Sequence, residues 1–180
     1  MSSGRRYVCS VLLALLSGLM LAWAADVSVD WDKSVDFSKY RSYAWVAGTN
    51  AKNPLVHERL LTAINGQLEA KGLTRVDDPA KADMLVLYHA STDYETRLNT
   101  TSMNNGWGVR WGDTGTSTTT VSKIPMGQLV VDLVDAGTRK LVWLGSASDS
   151  ISDKPEKNEQ KINKAVKKLF EKFPPKPKKS

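Results

Sequence analysis

Apolar positions recur along this chain with several periods, and each period predicts a different element. Val27, Val29 and Trp31 alternate with polar residues as in a half-buried strand, and a compact connection through Asp36, Phe37, Ser38 and Tyr40 leads to a second strand over 42–46. The spacing then lengthens. Val56, Leu60, Ile64 and Leu68 form one stripe, with Asn53 placed to cap, Pro54 at the first turn and Gly72 past the end, which predicts an amphipathic helix over 54–71. A short strand near 73–76, a turn through Asp77, Asp78 and Pro79, and a stronger, nearly continuous apolar strand over 84–89 follow.

The clearest alternation lies in "GQLVVDLVDAGTRKLVWLGSA", residues 127–147. Leu129, Val131 and Leu133 share one face of a hairpin, with Leu141 and Trp143 expected opposite them across a turn at 135–139. Val130, Val134, Val142 and Leu144 project to the second face, interrupted by Asp132; that face is covered by a loop, covered by a partner molecule or only modestly exposed, and a loop is the default expectation. Ile162, Val166, Leu169 and Phe173 return to helical spacing, with Ala165 and Phe170 on the flank and lysines outside, and Pro174-Pro175 stops the helix. Two such helices need a sheet to cover, so the expected fold is α+β: a single mixed or antiparallel β-sheet with two amphipathic helices packed on one face.

Residues 98–127 break the pattern, being rich in Thr, Ser, Asn and Gly with Trp107 and Trp111 embedded. They form either a long loop or a pair of polar strands; the threonine content, and the rarity of structureless inserts of this length, favour twisted, partly exposed strands.

The amino terminus changes what counts as the domain. Arg5 and Arg6 precede an apolar run from Val8 to Ala22, and Ala22-Trp23-Ala24 supplies small residues for a signal peptidase, so residues 1–24 are expected to be a cleaved secretory signal peptide. The domain is then 25–173, with 174–180 a basic Pro/Lys tail and no transmembrane span after cleavage. Cys9, the one cysteine, falls in the signal, which leaves a mature chain without thiol chemistry or disulfides and suits the bacterial periplasm.

Charge is unevenly placed. The formal net charge of +6 becomes +4 without Arg5 and Arg6, and ten lysines against Glu156, Glu159 and Glu171 give residues 154–180 a balance of +7. The basic end, with Lys172, Lys176, Lys178 and Lys179, is a candidate tether to anionic lipid or a cell-wall surface. Nucleic acid is not an expected partner, because the lysines are not interleaved with stacking aromatics.

At this point the recurring pieces identify a relationship. "VDWDKSVDFSKYRSYAWV" at 29–46, "ADMLVLYHA" at 82–90, "VVDLVDAGTRKLVWLGSA" at 130–147 and the terminal helix ending in "FP" resemble the DUF4136 family of uncharacterised bacterial envelope proteins. The resemblance implies an exported α+β domain and carries over no catalytic residue. It also implies two departures: family members often have a lipid-modified cysteine where this chain has Ala22 to Ala25, and a charged residue where it has Leu144.

Candidate chemistry is sparse. In "YHASTDYETR", His89 could act as a base with Asp93 orienting it and Glu95 nearby, but in a straight strand His89 and Asp93 are about 13 Å apart, so this requires the chain to turn. No metal site is expected: His57 and His89 lie on different elements, and Asp26, Asp30, Asp32 and Asp36 do not follow a calcium-loop pattern. His57 is expected to be solvated, and no cofactor is expected. The function expected is a non-enzymatic envelope role, an interaction or accessory module binding a protein, lipid or cell-wall component, with Trp107, Gly108, Arg110 and Trp111 as the first contact surface unless both tryptophans fold back as a lid on the sheet. The alternatives are a periplasmic hydrolase built on His89 and a small-ligand carrier with an apolar cavity between sheet and helices. The tether makes one prediction: binding of the exported protein to anionic vesicles weakens as salt rises, and binding that does not change with salt contradicts it.

Overall fold

A computed structural model describes residues 25–102 and 117–175 of the chain. The expected signal peptide, the centre of the 98–127 segment and the end of the basic tail therefore lie outside the described residues. In chain order the elements are β1 (Asp26–Trp31), β2 (Ser42–Trp45), α1 (Pro54–Ala70), β3 (Thr74–Arg75), β4 (Met84–Ser102), β5 (Ser117–Asp135), β6 (Leu141–Ser150) and α2 (Pro155–Glu171), with short 3-10 turns at Phe37–Lys39 and Pro79–Lys81. The six strands form one sheet in the order β1-β6-β5-β4-β2-β3. β1, β6, β5 and β4 are antiparallel neighbours, while β2 lies parallel to both β4 and β3, so the sheet is mixed.

Local chemistry sets the helix ends. The Asn53 side chain accepts from the Leu55 N–H and Pro54 occupies the first turn, while beyond Ala70 the chain reverses through Gly72 at φ +84°, a conformation glycine adopts without a Cβ clash. Leu60, Ile64 and Leu68 of α1 and Ala165, Val166, Leu169 and Phe170 of α2 are buried in one core with Met84, Val86, Tyr88, Leu129, Val131 and Leu133 of the sheet. Both helices thus cover one face, side by side, and Arg59 pairs with Glu159 between them at 3.2 Å.

Trp143 is the largest fully buried side chain. It stacks on Phe170 with ring centroids 5.2 Å apart and meets Phe173 edge-on at 5.6 Å. Its indole lies across Gly145, where a Cβ would collide with the Trp143 ring and approach Leu169 Cδ2 to 2.9 Å. Next to it the pattern-based hairpin needs correction. The pairing shifts between Leu133 and Val134, so Leu133 faces Trp143 while Val134 faces Leu141. This bulge leaves Val142 without an opposite residue on β5 and puts it in the helix-side core, and it leaves Leu141 49% exposed, the reverse of strict alternation.

Carboxylates tie separate sequence motifs together as structure. Asp135 accepts from Lys39 Nζ (2.8 Å), the Tyr40 hydroxyl (2.8 Å), the Thr138 N–H (2.8 Å) and the Thr138 hydroxyl (3.1 Å). It therefore closes the β5–β6 turn and pins the 3-10 turn after β1 to it. Asp83 does the same for β2 and β4: its carboxylate accepts from the Arg41 and Ser42 N–H groups, both at 2.9 Å, and its own N–H donates to the Ser42 hydroxyl at 3.0 Å. The Lys39 ammonium and then the Thr138 N–H hold the Asp135 carboxyl well below the usual carboxylate range, and burial followed by Asp135 itself pushes the Tyr40 phenol up to about 12.

A carboxyl whose folded pKa is depressed stabilises the fold above its unfolded value, near 3.9, and that contribution is lost as pH falls through the folded value. Asp135→Asn is accordingly expected to lower stability at pH 7 by about 1.5–3 kcal/mol, from weakened charge-assisted hydrogen bonds. The gap to the parent should narrow below about pH 4. Denaturant melts across pH check this; a gap that persists unchanged into acid contradicts it.

Candidate functional site

Three surfaces carry the residues that the sequence singled out. The first is the sheet face away from the helices. One corner is closed by a small cluster of Ala44, Ala82 and Leu85, packed with Val46, Val76, Val134 and Ala136. The rest of the face is half-exposed, and the only part of the expected loop cover among the described residues is that corner.

His89 sits on this face. Its Nδ1 lies 2.9 Å from the Thr49 hydroxyl and accepts from the Thr49 N–H at 3.2 Å. Thr49 is placed there by a stretch that continues β2 along β4, where Gly48 runs so close to Tyr88 that a Cβ would overlap its carbonyl. β4 continues straight through Ser102, so the turn that would bring Asp93 to His89 is not made. Asp93 instead accepts from the adjacent Tyr94 N–H at 2.7 Å, and Glu95 accepts from Arg97 Nε at 3.2 Å. The carboxylate that His89 does face is Asp132 on β5, 3.8 Å from its Nε2. The sequence reading missed this pairing, since the two meet only through strand register: His89 is opposite Val130, and Asp132 is one pleat further along.

Asp132 is unusual among the described carboxylates. Burial raises its carboxyl pKa, offset in part by His89, and its Oδ1 is buried without a hydrogen-bond partner. Across the same face a shallow depression of about 200 Å³ is lined by Asp26, Ser28, Gln128, Val130, Ser146 and Ser148 among others. The layer between sheet and helices, where a carrier would hold its ligand, is occupied by Trp143, Tyr43, Phe170, Ile64 and Leu68, all fully buried. Among the described residues there is no group of three or more His, Cys, Asp or Glu side chains able to hold a metal ion.

On the helix side, His57 departs from the expected solvated histidine. It is half-buried, and its Nδ1 makes a short contact with the Tyr88 hydroxyl, which also accepts from the Ala51 N–H at 3.3 Å. Burial raises the Tyr88 phenol. Trp45 packs edge-on against Tyr88, and its Nε1 shares Asn65 Oδ1 with the Tyr43 hydroxyl, so this cluster anchors α1 to β2 and β4.

The second surface is an arm. β4 and β5 pair without interruption from Met84–Asp135 to Ser102–Ser117, whereas β6 ends opposite Met126. The last nine pairs, from Tyr94–Pro125 outwards, form a two-stranded ribbon about 30 Å long. This bears out strands at both ends of the polar segment. Tyr94 (64% exposed), Leu98 (66%) and Val121 (59%) lie on one face of the ribbon. Trp107, Arg110 and Trp111 belong to the connection between Ser102 and Ser117 and lie outside the described residues. The third surface is the basic end: Lys172 is exposed just after α2, while Lys176, Lys178 and Lys179 lie outside the described residues. Lys161 is tied to β6, with its Nζ 2.7 Å from both the Ser150 carbonyl and hydroxyl. No helix among the described residues is long and apolar enough to cross a membrane.

A mixed sheet with two helices on one face and a long two-stranded arm defines an α+β domain. The family described as "Domain of unknown function (DUF4136)" matches residues 27–175, and the chain belongs to that family. Among solved structures it is similar to a DUF4136 family protein from Bacteroides thetaiotaomicron, at 15% identity over 83% of this chain and 96% of the other, with a TM-score of 0.52. It is also similar to a PDZ domain protein from Parabacteroides distasonis (15% identity, 84% of this chain, TM-score 0.56), of which it spans only 36%. A third similar structure is the PelC dodecamer from Paraburkholderia phytofirmans, at 11% identity over 82% of this chain and 95% of the other, with a TM-score of 0.50. At these identities the likeness is one of fold. No curated protein matches the chain.

The buried, half-satisfied carboxylate yields a prediction with the opposite sign to that for Asp135. A raised folded pKa penalises the fold while the group is ionised, and the penalty fades as pH falls through the raised folded value and is gone below the ordinary carboxylate value. Asp132→Val, which extends the apolar row of Leu87 and Leu144, should raise stability at pH 7 by roughly 1 kcal/mol, allowing for residual solvent contact. The gain should shrink in acid. Thermal melts at neutral and acid pH check it, and a destabilised variant at pH 7 contradicts it.

Proposed function

We propose that this protein is a non-catalytic interaction module of the bacterial cell envelope, in which the sheet and its two helices are the mount and the β4–β5 arm is the contact element. The observation that carries this reading is the arm itself. A two-stranded ribbon standing alone is marginal in water, and exposed apolar side chains on it add to its cost unless something covers them. Tyr94, Leu98 and Val121 are such side chains, and the strands that bear them are direct continuations of the two central strands of the sheet. Trp107, Arg110 and Trp111, which follow on the connection, are residue types that dominate protein contacts.

Placement in the envelope is supported by the signal-like amino terminus, by the absence of cysteine from residues 25–180, and by family membership. A protein rather than a lipid surface is the partner that suits the arm, since Glu95 offsets one of Arg97 and Lys123 there and leaves only a single positive charge in excess. PelC of Paraburkholderia phytofirmans, which shares the fold, is a dodecamer, and this supports an assembly role. The basic end, with Lys172, Lys176, Lys178 and Lys179, adds a weak electrostatic tether to anionic lipid or cell wall.

In-cell photo-crosslinking tests this reading. A probe replacing Thr100 on the arm should give a discrete product that a probe at the exposed helix position Glu69 does not, and Tyr94→Asp should abolish it. Equal products from both probes, or a product indifferent to Tyr94→Asp, would overturn the arm as contact element.

A further inference from the structure

The outer edge of β4 along the arm has a definite chemical pattern. Where β2 and the stretch after it run beside β4, the Val86 carbonyl accepts from Val46 N–H at 2.9 Å, the Tyr88 carbonyl from Thr49 N–H at 3.0 Å, and Ala90 N–H donates to the Thr49 carbonyl at 2.9 Å. Even-numbered residues of β4 therefore direct their backbone groups away from β5. Strand alternation carries that direction on to Thr92, Tyr94, Thr96, Leu98 and Thr100, beside which no strand lies among the described residues. β4 contains neither proline nor glycine to spoil this edge. The opposite edge of the arm is different: Pro125 has no N–H to offer, and its carbonyl already accepts from Ile151 N–H at 2.7 Å.

We propose that the strand completing this edge is the same β4 edge of a second copy of the chain, added antiparallel about a two-fold axis at Thr96. The inference rests on the arm being a contact element. Its support is self-complementarity in both charge and apolar character. With the axis at Thr96, Tyr94 stands opposite Leu98 of the second copy, and Leu98 opposite its Tyr94, so an aromatic–aliphatic pair forms twice on the face where both side chains are exposed. On the other face Glu95 stands opposite Arg97 of the second copy, twice, which joins the Glu95–Arg97 pair already present within each strand at 3.2 Å into a quartet of alternating charge. Asp93 faces Asn99. Moving the axis to Glu95 sets Glu95 against itself, and moving it to Arg97 sets Arg97 against itself, so the neighbouring registers that keep the hydrogen-bonding pattern carry a like-charge clash and lose the Tyr94–Leu98 pair. The even residues, whose N–H and C=O groups point outwards, are the ones that would exchange hydrogen bonds, so Thr96 would form a hydrogen-bonded pair with itself. The result is a continuous β5-β4-β4-β5 ribbon that removes both copies' open β4 edges.

Disulfide trapping tests the register, in the full chain with Cys9, its one cysteine, replaced by serine. Opposed residues of a hydrogen-bonded antiparallel pair have Cα atoms about 5.5 Å apart, within disulfide reach. Thr96→Cys should form a covalent dimer at least ten times faster than Thr92→Cys or Thr100→Cys alone, while a mixture of the last two should cross-link with each other. In light scattering, Glu95→Arg should weaken self-association at least tenfold and the double variant Glu95→Arg with Arg97→Glu should restore it; these are exposed positions, so neither change threatens the fold. A monomeric mass at all concentrations, or equal trapping at positions 92, 96 and 100, overturns the proposal. If the chain stays monomeric while the Thr100 probe still gives its Tyr94-dependent product, self-pairing is wrong and the arm remains a contact element for another protein; if that product is absent too, both readings fall.

Discussion

The pairing of β4 with β5 in a single register, from Met84–Asp135 to Ser102–Ser117, is the constraint on which the other features depend. Because side chains alternate strictly and no bulge interrupts this pair, one parity of β4 keeps to the helix side of the sheet from Met84 out to Thr100. That parity puts Met84, Val86 and Tyr88 into the core with Val131 and Leu133, and it puts Tyr94 and Leu98 on the same face beyond the reach of either helix. The opposite parity sets His89 beside Asp132 on the open face. Core, open-face pair and arm are thus consequences of one uninterrupted ladder.

The ends of this ladder are secured differently. At the base, Asp135 and Asp83 collect donors from the distant segment 39–42, and Asp135 also from nearby Thr138, so their hydrogen bonds hold the 3-10 turn, the β5–β6 turn and the start of β2 in place. These residues lie in the motifs by which the family resemblance was first visible, and their role in the structure is to fix the fold. Trp143 and Gly145, from the same motifs, serve packing: the glycine leaves room for the indole, and the indole carries α2 through Phe170 and Phe173. The outer half of the ladder has no such support, and its exposed apolar side chains are what the proposed contact covers.

Much of the body was legible in the sequence because its signals are local. Asn53, Pro54 and Gly72 marked α1, and the stripe ending at Phe173 marked α2, since capping and helical period need no tertiary knowledge. The full length of β4 was not legible beyond His89: from Ser91 on, both faces are exposed, so the polar–apolar contrast that reveals a strand is missing. The bulge that buries Val142 and exposes Leu141 was hidden for another reason, being a property of pairing between strands. The same holds for His89 with Asp132, forty-odd residues apart, and for His57 with Tyr88, which sequence spacing alone does not bring together.

Residue-resolved amide exchange on the intact protein reads the outer edge of β4 directly. The N–H groups of Asp93, Glu95, Arg97 and Asn99 point towards β5, and those of Thr92, Tyr94, Thr96, Leu98 and Thr100 point away from it. Pairing of this edge with a second copy protects both sets at high protein concentration, with the second set alone losing protection on dilution. Outward amides that exchange at the unprotected rate at every concentration, while the inward set stays protected, would contradict it.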